Sequence, residues 1–258
     1  MSLSIVIPTL NEAAVLDQTL GAIAGTDANI EVLVVDGGSQ DDTCAIAQSW
    51  GAKLLHSAPG RARQMNLGAQ MAQNEILLFL HGDTLLPPGY YELIETTIAQ
   101  PQTIAGAFDL TINAPEVSLR FVEWGVKLRS RLLQLPYGDQ GIFLRRETFG
   151  AIGGYPDLAI MEDYQLINNL KRLGRIAIIP TPVKTHPRRW QTLGILRTTL
   201  LNQIMILGYH LGIPPEKLRT WYRWYNRHSA PYKTPICLKP SSSTSTASSS
   251  TTKKPTKD

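Results

Sequence analysis

Cysteine is scarce in this chain. Only two cysteines, Cys44 and Cys237, occur in 258 residues, and they lie far apart in the sequence. Two such distant cysteines exclude a disulfide framework and form no metal-ligand cluster. Stability must therefore come from an ordinary hydrophobic core. With 43% hydrophobic residues the chain can build one, either as a single large domain or as a domain with an appendage.

Targeting and membrane-spanning patterns are also missing. No basic region precedes an apolar run at the N-terminus, and residues 1–8 are predicted to form a first strand rather than a signal peptide. The apolar segment 191–212 contains Arg197, Asn202, Gln203 and His210, which argues against a helix that spans lipid. We therefore expect a cytoplasmic protein.

Acidic residues are nearly absent from the C-terminal third. Residues 1–170 contain nine Lys and Arg against nineteen Asp and Glu, whereas residues 171–258 contain sixteen against two. A basic part of this kind can bind nucleic acid, anionic lipid or a phosphorylated ligand. No known nucleic-acid-binding module fits the sequence, so we do not expect nucleic acid as a partner.

The C-terminal segments differ in composition from the rest of the chain. Residues 217–228 interleave basic and aromatic side chains, which is typical of a helix in a membrane interface or of a helix packed on a catalytic domain. Both alternatives stay open, and the first would place the protein at the inner face of the plasma membrane. We predict a catalytic domain over 1–190, C-terminal helices over 191–235 and a disordered Ser/Thr/Lys-rich tail over 236–258.

Short apolar runs that alternate with helical patterns dominate the first 80 residues. The runs Ser4–Ile7, Val32–Val35, Leu54–His56 and Ile76–Leu80 have the length and composition of buried strands, and helical patterns separate them. This order predicts an α/β fold with a parallel, doubly wound sheet and right-handed crossovers. After Pro88 the regular alternation breaks down.

Polar residues follow these strands where each one ends. Asp36 follows the second strand and Asp83 the fourth, and open α/β sheets bind ligands at the carboxyl edge of their strands. Thr9 and Glu12 fit a helix capping box at the first turn. The alternative for each Asp is a purely structural role, as a turn residue that caps the local structure.

Arginines add to this predicted crevice. Arg61 and Arg63 start a helix, whose free N–H groups together with guanidinium side chains make a phosphate cradle. The alternative is that both arginines have no binding role and lie on a solvent-exposed helix face. Carboxylates and arginines at one edge suggest a nucleoside diphosphate with a divalent cation. Further along, Glu162 and Asp163 form an acid pair at a helix start, where either dipole capping or function can explain them.

Six sequence segments, in this order, resemble the motifs of one family. They are IVIPTLNE, VVDGGSQDDT, GRARQMNLGA, LFLHGDT, the MED motif and HPRRW, and together they cover roughly residues 3–190. They resemble a family 2 glycosyltransferase of GT-A fold, a Rossmann-like, mostly parallel sheet with a C-terminal helical segment. They resemble in particular the bacterial arsenosugar-biosynthesis-type subgroup.

The resemblance implies an inverting enzyme that moves a sugar from a nucleotide-sugar to an acceptor hydroxyl. It favours a UDP-sugar over GDP-mannose as the donor, and a small molecule or a lipid as the acceptor. By position, the base and ribose pocket would be lined by Pro8, Thr9, Glu12 and Asp36. Arg61 and Arg63 would reach the ribose or the diphosphate.

The resemblance also assigns the reacting groups. Asp83 would bind Mn²⁺ or Mg²⁺, with His81 standing where the family has a further Asp. Asp163 would be the general base, with a raised pKa, beside a structural or acceptor-binding Glu162. The diphosphate or the acceptor would be held by Arg188, Arg189 and Trp190, and Gln140 is a further candidate for substrate binding.

Two other function classes remain open on the sequence. A nucleotidyltransferase also combines a nucleotide fold with an Asp-bound metal, but it usually carries a glycine-rich basic signature that residues 8–12 lack. A non-catalytic module derived from the glycosyltransferase fold is the other alternative. The presence of both Asp83 and Asp163 argues against it.

Overall fold

The computed structural model describes residues 1–24 and 29–228, so the predicted tail over 236–258 lies outside the described residues. The strands are β1 Leu3–Thr9, β2 Ile30–Asp36, β3 Lys53–His56, β4 Ile76–Phe79, β5 Thr84–Leu85, β6 Thr103–Ile112, β7 Ile142–Arg145 and β8 Arg175–Thr185. The helices are α1 Ala13–Ile23, α2 Thr43–Ser49, α3 Arg61–Met71, α4 Tyr90–Ile98, α5 Val117–Leu133, α6 Arg146–Ala151, α7 Glu162–Leu170, α8 Arg188–Leu193, α9 Ile195–His210 and α10 Pro215–His228. A 3₁₀ turn spans Gly138–Gln140.

These strands form one mixed sheet in the order β3-β2-β1-β4-β7-β6-β8-β5. The first four strands are mutually parallel, which confirms the α/β alternation predicted for residues 1–80. Strand β7 runs antiparallel to both β4 and β6, and β5 runs antiparallel to β8, so the second half is not doubly wound.

Strand β8 has no counterpart in the sequence prediction. Pro180 and Pro182 interrupt its apolar pattern, and proline in a strand argues against a central position. The structure accommodates them with a register shift against β6, where Phe108 pairs with Ile179 but the next residue, Asp109, pairs with Pro182. The prolines therefore lie at an irregularity of the ladder.

Two hydrophobic layers cover the sheet because side chains alternate along each strand. Ile5 and Ile7 of β1 face the layer that contains α1 and α4, whereas Val6 faces the layer that contains α3 and α7. The parallel strands are buried on both faces, as their continuous apolar runs require. Their carboxyl ends consequently open at one shared edge.

The first turn at this edge differs from the prediction. Thr9 ends β1 and Asn11 has φ 56°, so the predicted capping box of Thr9 and Glu12 is wrong. Instead Thr43 Oγ1 accepts the Glu12 N–H at 2.8 Å and Asp41 Oδ2 accepts that of Ala13 at 3.1 Å. The β1–α1 turn is thus fastened to the β2–α2 loop.

The C-terminal helices pack against α7. A small apolar cluster joins Met161 and Tyr164 to Leu201 and Met205 of α9 and Leu218 of α10. None of the described helices combines the length and the apolar character that crossing a membrane would require.

Helix α3 lies unusually close to β1. A Cβ on Gly68 would be 2.3 Å from Cγ1 of the fully buried Val6. This close approach sets the depth at which α3, and Arg61 at its start, lie over the sheet.

We expect Gly68→Ala to lower the free energy of unfolding by about 1–3 kcal/mol, because the methyl group overpacks a rigid core. Urea denaturation followed by circular dichroism measures it. Gly125→Ala is the matched control, since its Cβ meets nothing within 4 Å. That substitution should raise helix stability by about 0.5–1 kcal/mol. Equal stability of both variants would contradict the close packing.

Candidate active site at the carboxyl edge of the sheet

A single arginine joins three separate chain segments at this edge. Arg188, the first residue of α8, donates from Nη2 to Glu12 Oε1 at 2.6 Å and to Asp83 Oδ2 at 3.1 Å. Glu12 precedes α1, and Asp83 follows β4. The second carboxylate oxygen of Glu12 is buried without a hydrogen-bond partner. The network therefore leaves an acceptor available at the sheet edge.

Asp36 shapes the neighbouring turn. Its buried carboxylate accepts the N–H groups of Gly38 at 2.8 Å and Ser39 at 2.9 Å, and also the Ser39 hydroxyl. Burial acts to raise the pKa of Asp36, but the hydrogen bonds from Ser39 and Gly38 outweigh it and hold the pKa below its ordinary value. Asp36 is therefore ionised and tied to its own loop.

Gln64 of α3 stabilises the same edge of the sheet. Its Nε2 donates to the carbonyl oxygens of Thr9 at 2.8 Å and Val35 at 2.7 Å. Thr9 and Asp36 are register partners at the ends of β1 and β2. Helix α3 thus fixes the two strand ends relative to each other.

The acid pair lies opposite Arg61. Arg61 Nη1 is 3.8 Å from Oε1 of the buried Glu162, and the arginine side chain is 53% exposed. Burial and the nearby charge of Asp163 raise the pKa of Glu162, against the attraction of Arg61. Glu162 therefore holds its proton more readily than an exposed carboxyl does.

Asp163 is held by backbone donors on both sides. Its Oδ2 accepts the Gly138 N–H at 2.8 Å and its Oδ1 accepts the Tyr164 N–H at 2.7 Å. The Gly138 bond ties the start of α7 to the glycine-rich turn before β7. The carboxylate consequently has one defined orientation.

His81 lies close to Asp163, separated by the bare backbone of Gly138. A Cβ on Gly138 would be 2.9 Å from His81 Nε2 and 3.3 Å from Asp163 Oδ2. Burial, followed by the charges of Arg61, Arg189 and Arg188, lowers the pKa of His81 well below 6.5. The imidazole is therefore neutral near pH 7.

Two residues expected at the site make other contacts. Arg63 forms a bidentate ion pair with the exposed Asp157 at 2.9–3.1 Å, away from the acids that face Arg61. Trp190 is buried in a cluster with Ile112 and Leu119. The structure therefore does not bring Arg63 to the cluster. The Trp190 ring takes part in the packing of α5, and its assignment as a ligand contact stays a prediction.

Gln140 also needs correction. It is fully buried, and its Oε1 accepts from Arg129, Ser130 and the Tyr137 N–H, while its Nε2 donates to the Phe108 carbonyl. These partners occupy the amide. Gln140 braces the glycine-rich turn instead of offering a group to a substrate.

Arg189 links the site to the C-terminal helices. Its Nη2 donates to Asn202 Oδ1 at 2.8 Å, and its guanidinium lies 5.1 Å from the centre of the Tyr222 ring.

Pro8 is the half-buried residue before Thr9 and lies beside Val35 in the register of the first two strands. Pro8 and Thr9 thus remain at the predicted pocket edge.

Two residues escaped the sequence interpretation. The His186 N–H donates to the Asp83 carbonyl at 3.0 Å, which places this histidine next to the predicted metal ligand. Asp139 has a buried Oδ1 without a partner, and burial raises the pKa of its carboxyl. The signals were present, since His186 begins the HPRRW segment and Asp139 is the acid within the glycine-rich turn.

The donor set at Asp83 suits a divalent cation. An aspartate oxygen and imidazole nitrogens, here of Asp83 and of the neighbouring His81 and His186, are ligand types that Mn²⁺ accepts better than Mg²⁺, and Nδ1 of His186 already accepts the Arg188 N–H at 3.2 Å. Arg188 contacts the same Asp83 oxygen, so cation and guanidinium must share this carboxylate. Among residues 1–24 and 29–228, three possible ligand atoms come within 4.8 Å of one another only at Asp36, Cys44 and His56. A cation at Asp83 would thus need oxygens from the bound donor.

Comparisons with known proteins show the family to which the chain belongs. The family model described as "Glycosyl transferase family 2" matches residues 4–143, more than half of the chain. The PGL/p-HBAD biosynthesis glycosyltransferase of Mycobacterium bovis is 36% identical over 165 residues, covering 59% of this chain and 62% of that protein. The validoxylamine A glucosyltransferase of Streptomyces hygroscopicus is 36% identical over 111 residues, covering 38% of this chain and 26% of that one. This chain therefore spans about three fifths of the length of the first relative.

Solved structures show the fold. S. aureus TarS in complex with UDP-GlcNAc aligns with a TM-score of 0.58 at 18% identity, covering 72% of this chain and 58% of that one. Glucosyl-3-phosphoglycerate synthase from Mycobacterium tuberculosis, in complex with Mn²⁺, UDP and glucosyl-3-phosphoglycerate, aligns with a TM-score of 0.57 at 21% identity, covering 83% and 81%. A mannosyltransferase from Pyrobaculum calidifontis, in complex with GDP-Man and Mn²⁺, aligns with a TM-score of 0.55 at 22% identity, covering 71% and 56%. The predicted GT-A fold is confirmed.

The raised pKa of Glu162 predicts a pH-dependent stability. A carboxyl whose pKa is higher in the folded chain than its ordinary 4.5 lowers the free energy of unfolding as the pH rises from about 4.5 towards the raised pKa. We therefore expect Glu162→Gln to gain stability relative to the wild type across this interval, measured by urea denaturation at several pH values.

Glu147→Gln is the matched control, because Glu147 is an exposed acid in the first turn of another helix, α6. The free energy of unfolding of Glu162→Gln, relative to the wild type, should change more with pH than that of this control. If the two variants show the same dependence on pH, burial of Glu162 does not lower the free energy of unfolding.

Proposed function

The chain belongs to glycosyl transferase family 2, and from this we propose that it transfers a sugar from a nucleoside-diphosphate sugar to an acceptor hydroxyl, with inversion at the anomeric carbon. The observation that carries the proposal is the meeting of Arg61 and Arg188 with Asp83 and the acid pair of α7 at one sheet edge. Cations suited to a diphosphate thus face a carboxylate suited to a proton transfer. Family membership disfavours the nucleotidyltransferase alternative.

The donor would lie across the ends of β1 and β2. We place its base and ribose against Pro8, Thr9 and the loop braced by Asp36, because these residues form adjoining strand ends. Arg61 and Arg188 would meet the diphosphate. Arg63 could join them only by leaving Asp157. We favour a UDP-sugar, and GDP-mannose is the second choice.

A divalent cation, Mn²⁺ or Mg²⁺, would be held by Asp83 with a histidine nearby, either His81 or His186. When bound, it supplies a Lewis acid that neutralises charge on the departing diphosphate. Arg188 and Arg61 act on the same charge. Glu12, which is also paired with Arg188, keeps that guanidinium pointed into the crevice.

Asp163 is the proposed general base. Its carboxylate has a fixed orientation through Gly138 and Tyr164, and catalysis by proton transfer depends on such positioning. It would take the proton from the acceptor hydroxyl as the oxygen attacks the anomeric carbon. Glu162 is the second candidate for the base, and its raised pKa is the observation that favours it.

The acceptor and the narrower family assignment remain predictions. The arsenosugar-type subgroup rests on the sequence motifs, whereas the relatives are named for PGL/p-HBAD biosynthesis and for validoxylamine A. A small molecule or a lipid fits the proposal. We also propose a catalytic unit over 1–190 and C-terminal helices over 191–235 that act in the cytoplasm at the membrane face. Of these helices, α9 and α10 pack on α7, and residues 229–235 lie outside the described residues.

Asp163→Asn tests the base. The variant keeps the size of the side chain but cannot take a proton, so turnover should fall by about 10²–10⁴-fold while nucleotide affinity stays unchanged. Transfer kinetics and calorimetry with UDP measure the two quantities. Glu162→Gln should cost less.

Near wild-type turnover of Asp163→Asn would sink this assignment. Since the carboxylate also caps the start of α7, thermal unfolding must accompany the assay. A variant that loses turnover together with UDP affinity and stability would point to a structural role. A wild-type protein that binds nucleotide-sugars but neither transfers nor hydrolyses them would support a non-catalytic module.

Metal dependence is tested at Asp83. We expect Mn²⁺ to increase the thermal shift caused by UDP, because a cation bound to both ligand and protein stabilises the folded state. Asp83→Asn should lose that increment. Glu147→Gln is the matched control, because Glu147 is an exposed acid of α6 that takes no part in the cluster. If the enzyme instead keeps full turnover after treatment with a chelator, it needs no cation, and the arginines alone neutralise the charge of the diphosphate.

A further inference from the structure

Helix α5 presents an apolar stripe to solvent. Its outward positions recur every three or four residues and have side chains that are 43–73% exposed, namely Val117, Phe121, Trp124, Leu128 and Leu132. The opposite face carries the buried Leu119 and Ser130. The stripe is therefore additional to the face that packs on the protein.

Helix α9 repeats this arrangement. Its outward positions and the residue that follows the helix are 44–85% exposed, namely Leu196, Leu200, Ile204, Leu207 and Leu211. The buried side of α9 carries Leu201 and Met205. Scattered exposed leucines are normal, but two helices with a complete outward stripe each are not.

The two stripes meet. Phe121 of α5 and Leu196 of α9 line one open, mostly apolar groove, together with Trp190 and Leu193 of α8. Trp221 and Trp224 on the neighbouring α10 are 48% and 60% exposed. We name the outward surface of α5, α9 and the exposed tryptophans of α10 the apolar face.

The helices that carry this surface are rich in basic residues. The sequences of α5, α9 and α10 contain nine Lys and Arg against two Glu. Arg197, Lys217 and Arg223 are exposed. An apolar face with interfacial tryptophans and basic residues on the same helices is typical of protein that lies on an anionic membrane.

We propose that the apolar face docks on an anionic lipid bilayer, with the side chains of α5 and α9 inserted at the boundary between headgroups and acyl chains. A second copy of this chain fits less well. A two-fold contact through this face would set the same basic residues against each other, whereas anionic headgroups complement them.

Docking in this way would bring the catalytic edge to the membrane surface. Helix α8 begins with Arg188 at Asp83 and continues into the groove through Trp190 and Leu193. Its six residues span about 9 Å. An acceptor anchored in the bilayer by an apolar tail could therefore present its hydroxyl beside the sheet edge. This acceptor class rests on the proposed function, whereas the docking itself does not.

Co-sedimentation with vesicles tests the docking on the full chain. We expect binding to vesicles of phosphatidylcholine mixed with phosphatidylglycerol, and weaker binding to phosphatidylcholine alone. High salt should weaken the binding to anionic vesicles, because it screens the basic residues.

Two double variants address the stripes, Phe121→Gln with Leu128→Gln on α5 and Leu200→Gln with Leu207→Gln on α9. Each should weaken vesicle partitioning by about tenfold or more, since two large apolar side chains no longer enter the interface. Leu173→Gln is the matched control, because Leu173 is 56% exposed in the turn between α7 and β8. All variants should bind UDP as the wild type does, because none changes a residue of the proposed nucleotide site.

Absence of wild-type protein from the vesicle pellet at low salt would overturn the proposal. So would partitioning that both double variants leave unchanged. Light scattering in lipid-free buffer tests whether a second copy of the chain occupies the apolar face instead. If the wild type is a dimer that the double variants dissociate, and it does not bind vesicles, the face is a dimer interface. Vesicle binding by a protein without nucleotide affinity would uphold the docking and remove the proposed function.

Discussion

The bridge from Arg188 to Glu12 and Asp83 is the contact on which the geometry of the sheet edge depends. It joins residues 176 and 105 positions apart in the sequence, at the starts of α1 and α8 and at the end of β4. All three side chains are partly exposed, with relative accessibilities of 18% for each acid and 44% for the arginine. Such a pair contributes little net stability, so its importance lies in position rather than in energy.

The positions predicted best from the sequence are the strand ends. Buried parallel strands have continuous apolar runs, and the polar residue that follows must lie at the carboxyl edge. Asp36, Asp83 and Arg61 consequently lie where the pattern placed them. Strand β8 was not predicted, because its two prolines hide a pairing that only the register shift against β6 makes tolerable.

Side-chain partners across the fold could not be predicted in this way. The segments that contain Gln140, Trp190 and Arg63 have a composition typical of a ligand site. In the structure, however, each of these side chains contacts a residue that is distant in the sequence. Similarly, the local pattern places two acids at the start of α7 without telling which one is buried. Only the packing of Glu162 beside Arg61 distinguishes them. Local propensity yields to tertiary context at such positions.

The bridge made by Arg188 also governs how the charge at the sheet edge changes when ligands arrive. The guanidinium places one positive charge between two carboxylates that would otherwise repel each other. A cation at Asp83 would add positive charge beside the same carboxylate, and a diphosphate would give the shared guanidinium a further anion. The crevice thus carries its own counterion for an anionic ligand.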